Sequence, residues 1–212
     1  MLLGAAVIDG LRSSDNVFTW SVAPKVKFGR QASLYARVAK GYRPGGPNVI
    51  PIGSPPCTPT TFEPDTDTSY EIGFKGDTAD RSASIEAAIY HIDWSDIQLA
   101  AVVNGFGVNV NGASAKVDGA EIAATLRPIA GLTASIGVAY NDARLSDDTD
   151  PVAVGAVKGD PLPFTPKYAI NANADYQWNM GADVSASFGA SIRSVSRQSG
   201  GFDPAYLATF GH

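Results

Sequence analysis

Residues 182–193 read ADVSASFGASIR, with apolar and polar side chains in strict alternation. In an extended chain Val184, Ala186, Phe188, Ala190 and Ile192 point one way, and Asp183, Ser185, Ser187, Gly189, Ser191 and Arg193 point the other. A soluble sheet shows this with its apolar face on a core, and a membrane barrel shows it with that face in lipid. The pattern returns along the chain. Phe18, Trp20, Val22, Val26 and Phe28 share one parity, against Thr19, Ser21, Lys25 and Lys27. Leu34, Ala36, Val38 and Tyr42 oppose Tyr35 and Arg37, with Lys40 on the apolar parity. Tyr70, Ile72 and Phe74 oppose Glu71, Gly73 and Lys75. Ala120, Ile122, Ala124 and Leu126 oppose Glu121 and Thr125, and Leu132, Ala134, Ile136, Val138 and Tyr140 share a face. Tyr168, Ile170, Ala172, Ala174, Tyr176 and Trp178 oppose Lys167, Asn171, Asn173, Asp175 and Gln177. These are strands, and no segment repeats at a helical period.

Two segments break the pattern. In SASIEAAIYHIDWSDIQL (82–99), read as one strand, Ile85, Ala87 and Ile89 are in phase before Ile92 and Trp94 take over. A bulge, or emergence of the strand from its apolar layer, accounts for the switch. Pro24 cannot donate to a ladder and belongs at an edge or a bulge.

The connections alternate in kind. Short turns fall at 29–32, 76–81, 128–131 and 179–181, and long loops rich in Pro, Gly and Asp at 43–65, 100–112 and 145–166, with a fourth starting at Arg197. Short turns at one end and long loops at the other describe an all-β, antiparallel, up-and-down transmembrane barrel segment of about eight strands. Phe28, Phe74, Tyr176 and Trp178 beside the short turns fit an interfacial girdle. The polar parity is mainly Ser, Asn, Thr and Gly, whereas a face meeting bulk water would carry many Lys and Glu. The apolar parity is almost free of charge, and Lys40 fits it only near a strand end from which it can snorkel.

Composition narrows the function classes. A net charge of -5 without a basic run makes nucleic acid an unsuitable partner. The start, MLLGAAVIDGLR, lacks a basic region and is interrupted by Asp9, so it is a poor secretion signal. The single cysteine, Cys57, excludes an internal disulfide framework and a cysteine zinc cluster, and leaves a free thiol or a partner elsewhere.

Several stretches resemble the C-terminal barrel portion of TonB-dependent outer-membrane receptors. LYARVAKGYRPGGPN (34–48) runs into a long loop through Gly41, Arg43, Pro44 and Gly45. In FEPDTDTSYEIGFKGD (62–77), Glu63, Pro64, Glu71, Gly73 and Lys75 match the family's spacing. YHIDWSDIQL (90–99) follows. Gly119 and Glu121 match the G-x-E of the next downward strand, and Leu162, Pro163 and Pro166 the entry into a later one. The likeness covers roughly residues 17 to 210. It implies energised import of ferric siderophores or similar bulky nutrients in the cell outer membrane. The implied partners are the lipid bilayer, the nutrient ligand, and a TonB-type energy-coupling protein that engages the receptor's N-terminal region.

Such transporters have about 22 strands around a plug. Residues 1–212 therefore read as a partial receptor barrel domain, truncated at both ends, with the plug domain and final strands absent and the eight strands left as an open curved sheet. Two other readings stand beside it: a complete eight-stranded outer-membrane barrel with a structural or adhesive role, and a soluble β-domain that binds a partner.

No catalytic constellation emerges, and the chain reads as no enzyme, with no catalytic, cofactor-binding or metal residues and with ligand contacts unknown. His91 beside Asp93 and Asp96 suggests a metal or acid–base site, against the plainer reading of a polar group at the membrane boundary. The carboxylates of 65–68 and 147–150 lack calcium-loop spacing and read as solvated loop charge. Arg37, Glu71, Glu121, Asn171, Asn173 and Arg193 are expected to face the lumen, and the loop from Arg43 to Asp65 to contact ligand.

Overall fold

The computed structural model describes residues 15–50, 54–55, 58–103, 106–181 and 183–202. Cys57, the N-terminal stretch around Asp9 and the chain end past residue 202 lie outside them. Among the described residues thirteen strands form: β1 (Trp20–Val22), β2 (Lys25–Phe28), β3 (Ala32–Arg43), β4 (Gly46–Pro47), β5 (Thr61–Phe62), β6 (Asp65–Asp77), β7 (Ala83–Ser95), β8 (Gln98–Val103), β9 (Phe106–Asn111), β10 (Ala115–Leu126), β11 (Leu132–Leu145), β12 (Tyr168–Gly181) and β13 (Val184–Val195). Nine of them make one antiparallel sheet in the order β1/β2, β3, β6, β7, β10, β11, β12, β13, each long strand paired with its neighbours in sequence. Among the described residues the path is open, for β1 and β2 pair only with β3, and β13 only with β12.

β1 and β2 are two halves of one spanning segment. Trp20 faces Lys40, Val22 faces Val38 and Lys25 faces Tyr35, so the register is unbroken across Pro24. The Ala36 N–H donates to the Pro24 carbonyl at 3.1 Å, and proline lacks the N–H that would return the bond. Pro24 therefore sits in the edge strand without a bulge. Counted this way, eight segments cross the sheet.

One face of the sheet is apolar and open. Val22, Val26, Phe28, Leu34, Ile72, Phe74, Ile89, Ile122, Ile136, Ile170, Phe188 and Ile192 all lie exposed upon it. Exposed to water, a patch this large would drive association. Against acyl chains it is the ordinary surface of a barrel. Its aromatic borders fix its height. From Tyr168 to Trp178 the strand advances ten residues, about 34 Å of chain and about 26 Å along the membrane normal at a tilt of about 40°, matching an apolar band of about 25 Å. Lys40, on this face, lies three residues from the loop end of β3 beside Trp20 and Thr68, where its ammonium reaches the headgroup level.

The parity switch in β7 is not a bulge, since it pairs with β6 and β10 without a register shift. His91 and Asp93 continue the outward face, while Ile92 and Trp94 point inward because the strand has left the lipid layer. β7 also ends at Ser95 rather than running to Leu99. Asp96 takes a left-handed conformation (φ 55°) and Ile97 turns inward to 2% exposure. The last turn falls later than 179–181, because β12 runs to Gly181 (φ 117°), with a register irregularity at Asn179, and Asp183 (φ 65°) leads into β13. At the turn after β6, the Thr78 hydroxyl and the N–H and hydroxyl of Ser82 hold the Asp80 carboxyl down to about 2.

The other face carries Tyr35, Arg37, Glu71, Tyr90, Glu121, Asn141, Asn171, Asn173 and Arg193, which the pairing places on one side. Two family-pattern glycines have a direct cause there. Gly73 is the register partner of Tyr35, and Gly119 of Tyr90. A Cβ at either glycine would overlap the tyrosine ring lying across it. So placed, Tyr35 donates to Glu71, and Tyr90 to Asn141 on the strand beyond. Gly73→Ala is expected to destabilise by about 1 kcal/mol, the scale of the hydrogen bond lost when the ring moves. With Tyr35→Ala already present, the same change should stabilise by about 0.5 kcal/mol, alanine being the better strand residue. Folding titrations of the four variants in lipid vesicles check the sign reversal.

Candidate functional site

At the loop end the connections fold inward over the lumenal face. Ile97, Leu99, Ala115, Ala143, Leu145, Ala156 and Leu162 form a buried apolar cluster, with Trp94, Val110 and Val117 packed against it. Ala115 and Val117 of β10, and Ala143 and Leu145 of β11, share the inward parity with Glu121, so this core sits inside the wall. The 146–167 segment is laced to the end of β11: Leu162 N–H donates to Ala143 O, Leu145 N–H to Asp160 O, and Gly159 N–H to Leu145 O. Its aspartates serve the loop's own backbone. Asp148 accepts from Lys158 N–H at 2.8 Å, and Asp150 from Val152 and Ala153 N–H, bonds that hold the Asp150 carboxyl below the ordinary carboxylate range.

A polar node ties the other two loops together. Arg43 ends β3 and Asp65 begins β6, and the two are register partners. Arg43 Nε lies 2.9 and 3.1 Å from the two carboxylate oxygens of Asp65, and its Nη2 completes the fork. The Arg43 guanidinium lies 4.8 Å from the centroid of the Trp94 ring. Asp65, 1% exposed, also accepts from the Gln98 N–H at 3.0 Å. It is thus a buried, paired strand residue, not the solvated loop charge expected for 65–68, because the loops fold down over it.

From Gln98 the network spreads. Its side-chain amide donates to Pro44 O (2.9 Å) and Glu63 O (3.1 Å). Asn111 accepts from Glu63 N–H and donates to Glu63 O and Asp96 O. Asn48 exchanges two 2.8 Å bonds with the Asn109 backbone and donates to Pro59 O. Gly45 permits the closure, since a Cβ there would strike the Phe62 carbonyl and lie 2.9 Å from Pro64 N.

The stretch 100–112, read as an irregular loop, instead folds back as the hairpin β8–β9, and β4 pairs with β5 inside the 43–65 loop. The hairpin had a sequence signal: Asn104-Gly105 sits between Val102-Val103 and Val108, the composition of a tight hairpin turn. Asn48, Trp94, Gln98 and Asn111 had none, because their roles depend on loops meeting in space.

Arg37, Glu71, Glu121, Asn171, Asn173 and Arg193 all occupy the lumenal face, in separate pairings. Arg37 is opposite Glu71, whose carboxylate receives the Tyr35 hydroxyl; Asn171 is opposite Arg193; and Asn173 accepts from Ser135 at 2.5 Å. Between β3 and β12 the wall holds a concavity of about 440 Å³, with Glu121, Lys75, Glu86 and Asn171 around a floor of Ala and Gly. His91 lies outside, at the membrane boundary, with Nδ1 2.7 Å from Asp118 and Nε2 3.3 Å from Asp93. The rim pairs donors with acceptors and sets the Arg43 guanidinium against the Trp94 ring.

Comparison with known proteins gives a consistent result. A family model described as TonB dependent receptor-like, beta-barrel matches residues 3–210. The pesticin receptor of Yersinia enterocolitica is 26% identical over 142 residues, 67% of this chain and 20% of that protein. Among solved structures, the ferric yersiniabactin uptake receptor FyuA of Yersinia pestis superposes with a TM-score of 0.70 at 20% identity, over 90% of this chain and 27% of that one. The ferric-catecholate import receptor Fiu of E. coli gives 0.65 at 23%, over 91% and 26%. The chain thus spans about a fifth to a quarter of the length of these proteins.

Proposed function

The chain belongs to the family of TonB-dependent receptor-like β-barrels, proteins of the outer membrane, and from that premise we propose that it is a section of the wall and outer rim of a receptor that takes up ferric siderophores or similarly bulky ligands. The observation that carries this reading is the rim itself. Loops from two connections are knit over the lumen by Arg43, Asp65, Gln98, Asn111 and Asn48, which makes a preorganised surface where a ligand would arrive. The relatives whose names refer to ferric complexes support the ligand class. Open sheet edges support a section of a larger barrel over a sealed eight-stranded one, which would pair β13 with β1/β2. The exposed apolar face disfavours a soluble domain. In this reading a plug and further strands complete the receptor, and a TonB-type protein coupled to the inner membrane supplies the energy.

The test is uptake of iron-labelled siderophores by cells whose sole such receptor is the complete protein bearing this segment. Binding that survives collapse of the proton gradient, with uptake that does not, is the expected result. Replacing residues 98–111 with a short Gly-Ser linker should weaken binding by about tenfold, or 1.4 kcal/mol. Absence of binding across catecholate, hydroxamate and mixed ferric complexes would rule out the ferric reading.

A further inference from the structure

The lumenal face is not uniform around the wall. From β3 to β10 it carries charge and cross-strand tethers. Arg37, Glu71, Lys75, Glu86 and Glu121 lie there, and Lys75 is bonded to Glu86 at 2.6 Å. Tyr35 and Tyr90 reach across neighbouring strands to Glu71 and Asn141. From β11 to β13 the same face changes character. Reading towards the turns, β12 presents Asn171, Asn173, Asp175, Gln177 and Asn179. Ser191, Ser187 and Ser185 of β13 stand opposite, and Thr133 and Ser135 of β11 flank the other side. Within these rows the only charges are Asp175 and Arg193.

Two further properties set this sector apart. Its relief is low, because Asn171 lies across Gly137 and Asp175 across Gly189, each where a Cβ would strike its side-chain oxygen. Both side chains therefore lie along the wall rather than standing in the lumen. Its hydrogen-bonding groups are also largely uncommitted. Among the described residues the side chains of Asn171, Gln177, Ser187 and Ser191 form no hydrogen bond within the protein, while Asn173 accepts from Ser135. From Asn171 to Asn179 these groups recur over four two-residue steps, about 27 Å of strand from mid-depth to the short turns.

A solute that must move on needs contacts that are many and weak, since one strong fixed site would hold it. A ladder of amides and hydroxyls, repeating every second residue on a flat wall, supplies such contacts. We propose that, within this section of the wall, the ligand descends the lumen along β11–β13 and not past the charged sector of β3–β10. The solute this ladder suits is a bulky hydrophilic complex whose oxygens exchange bonds with side-chain amides and hydroxyls at successive rows. The inference rests on the uptake reading above and adds to it the side of the lumen that the ligand follows.

The test uses the complete receptor in cells, with iron-labelled ferric trihydroxamate and ferric tris-catecholate, and scores binding and uptake separately. Ser84, Thr125, Ser135, Asn173 and Ser191 are successive partners in one register row, so Ser191→Trp and Ser84→Trp set the same ring at one depth in the two sectors. Ser191→Trp should slow uptake about tenfold with binding unchanged, as a ring narrowing the path requires. Ser84→Trp should leave both within about twofold of the parent. Ser191→Asn, which keeps a hydrogen-bonding group, should import at the parent rate. Only variants with the heat-modifiable mobility of folded barrels are compared, and Ser187→Trp, two residues nearer the turns, replaces Ser191→Trp if that variant does not fold. Uptake at the parent rate in Ser191→Trp, or equal slowing in Ser84→Trp, overturns the proposal. A parent that binds neither complex removes the uptake reading and the path with it, a result seen before any variant is made.

Discussion

Ile136→Lys is expected to destabilise the protein in a bilayer by about 2–4 kcal/mol, the cost of a lysine at the midplane of a lipid-facing wall. Ile136 lies halfway along β11 between Tyr140 and Leu132, flanked by Ala124 of β10 and Ala172 of β12 on the apolar face. No polar neighbour can take up the charge, and both interfaces are too distant for full snorkelling. Ala123→Lys is the matched control, because Ala123 lies at almost the same depth on the lumenal face, opposite Gly137. Its effect should stay within about 1 kcal/mol, as lumenal positions meet water. Urea titration of folding into vesicles gives both values. Equal costs would sink the assignment of the two faces, and with it the membrane reading.

Arg43→Ala should loosen the rim without touching the wall. Removing one partner of a buried ion pair costs about 3–5 kcal/mol, but Arg43 is 49% exposed and water takes over part of its role, so about 2 kcal/mol is expected. That corresponds to about thirtyfold faster hydrogen exchange at the Gln98 amide, which reports opening of the node. Amides in the middle of the β12–β13 pairing should exchange at the parent rate. Arg43→Lys should recover only part of the protection, because an ammonium cannot reproduce the two-pronged guanidinium contact. Asp65→Asn keeps an acceptor for Gln98 N–H and should cost about 1 kcal/mol. If Gln98 exchange is unmoved in Arg43→Ala, the node does not hold the loops.

The wall was legible residue by residue. Alternation from Leu132 to Tyr140 and from Tyr168 to Trp178 placed β11 and β12 on the right faces, since strand geometry alone decides which side a residue takes. The six polar residues from Arg37 to Arg193 followed from the same parity. Where the reading slipped, a local signal was ambiguous or outweighed. The stretch Trp94–Leu99 looked like continued strand until Asp96 adopted its left-handed turn and carried Ile97 into a core built from other segments. The acids at 65–68 resembled loop acids because nothing nearby in sequence reveals that Gln98 and Trp94 will close over Asp65.

The sequence by itself determined a sheet with one lipid face and one polar face, turns at one end and long loops at the other, and the family resemblance. Each of these depends on side-chain period and turn chemistry, which act over a few residues. Tertiary structure alone decided that the loops fold inward on an apolar core and that Arg43, Asp65 and Gln98 meet, while the open sheet had already been expected from the strand count and the family resemblance. Those features require residues tens of positions apart to come within a hydrogen bond or a register row. Such meetings are fixed by the pairing of whole strands and by burial against distant partners, and neither leaves a periodic mark on the chain.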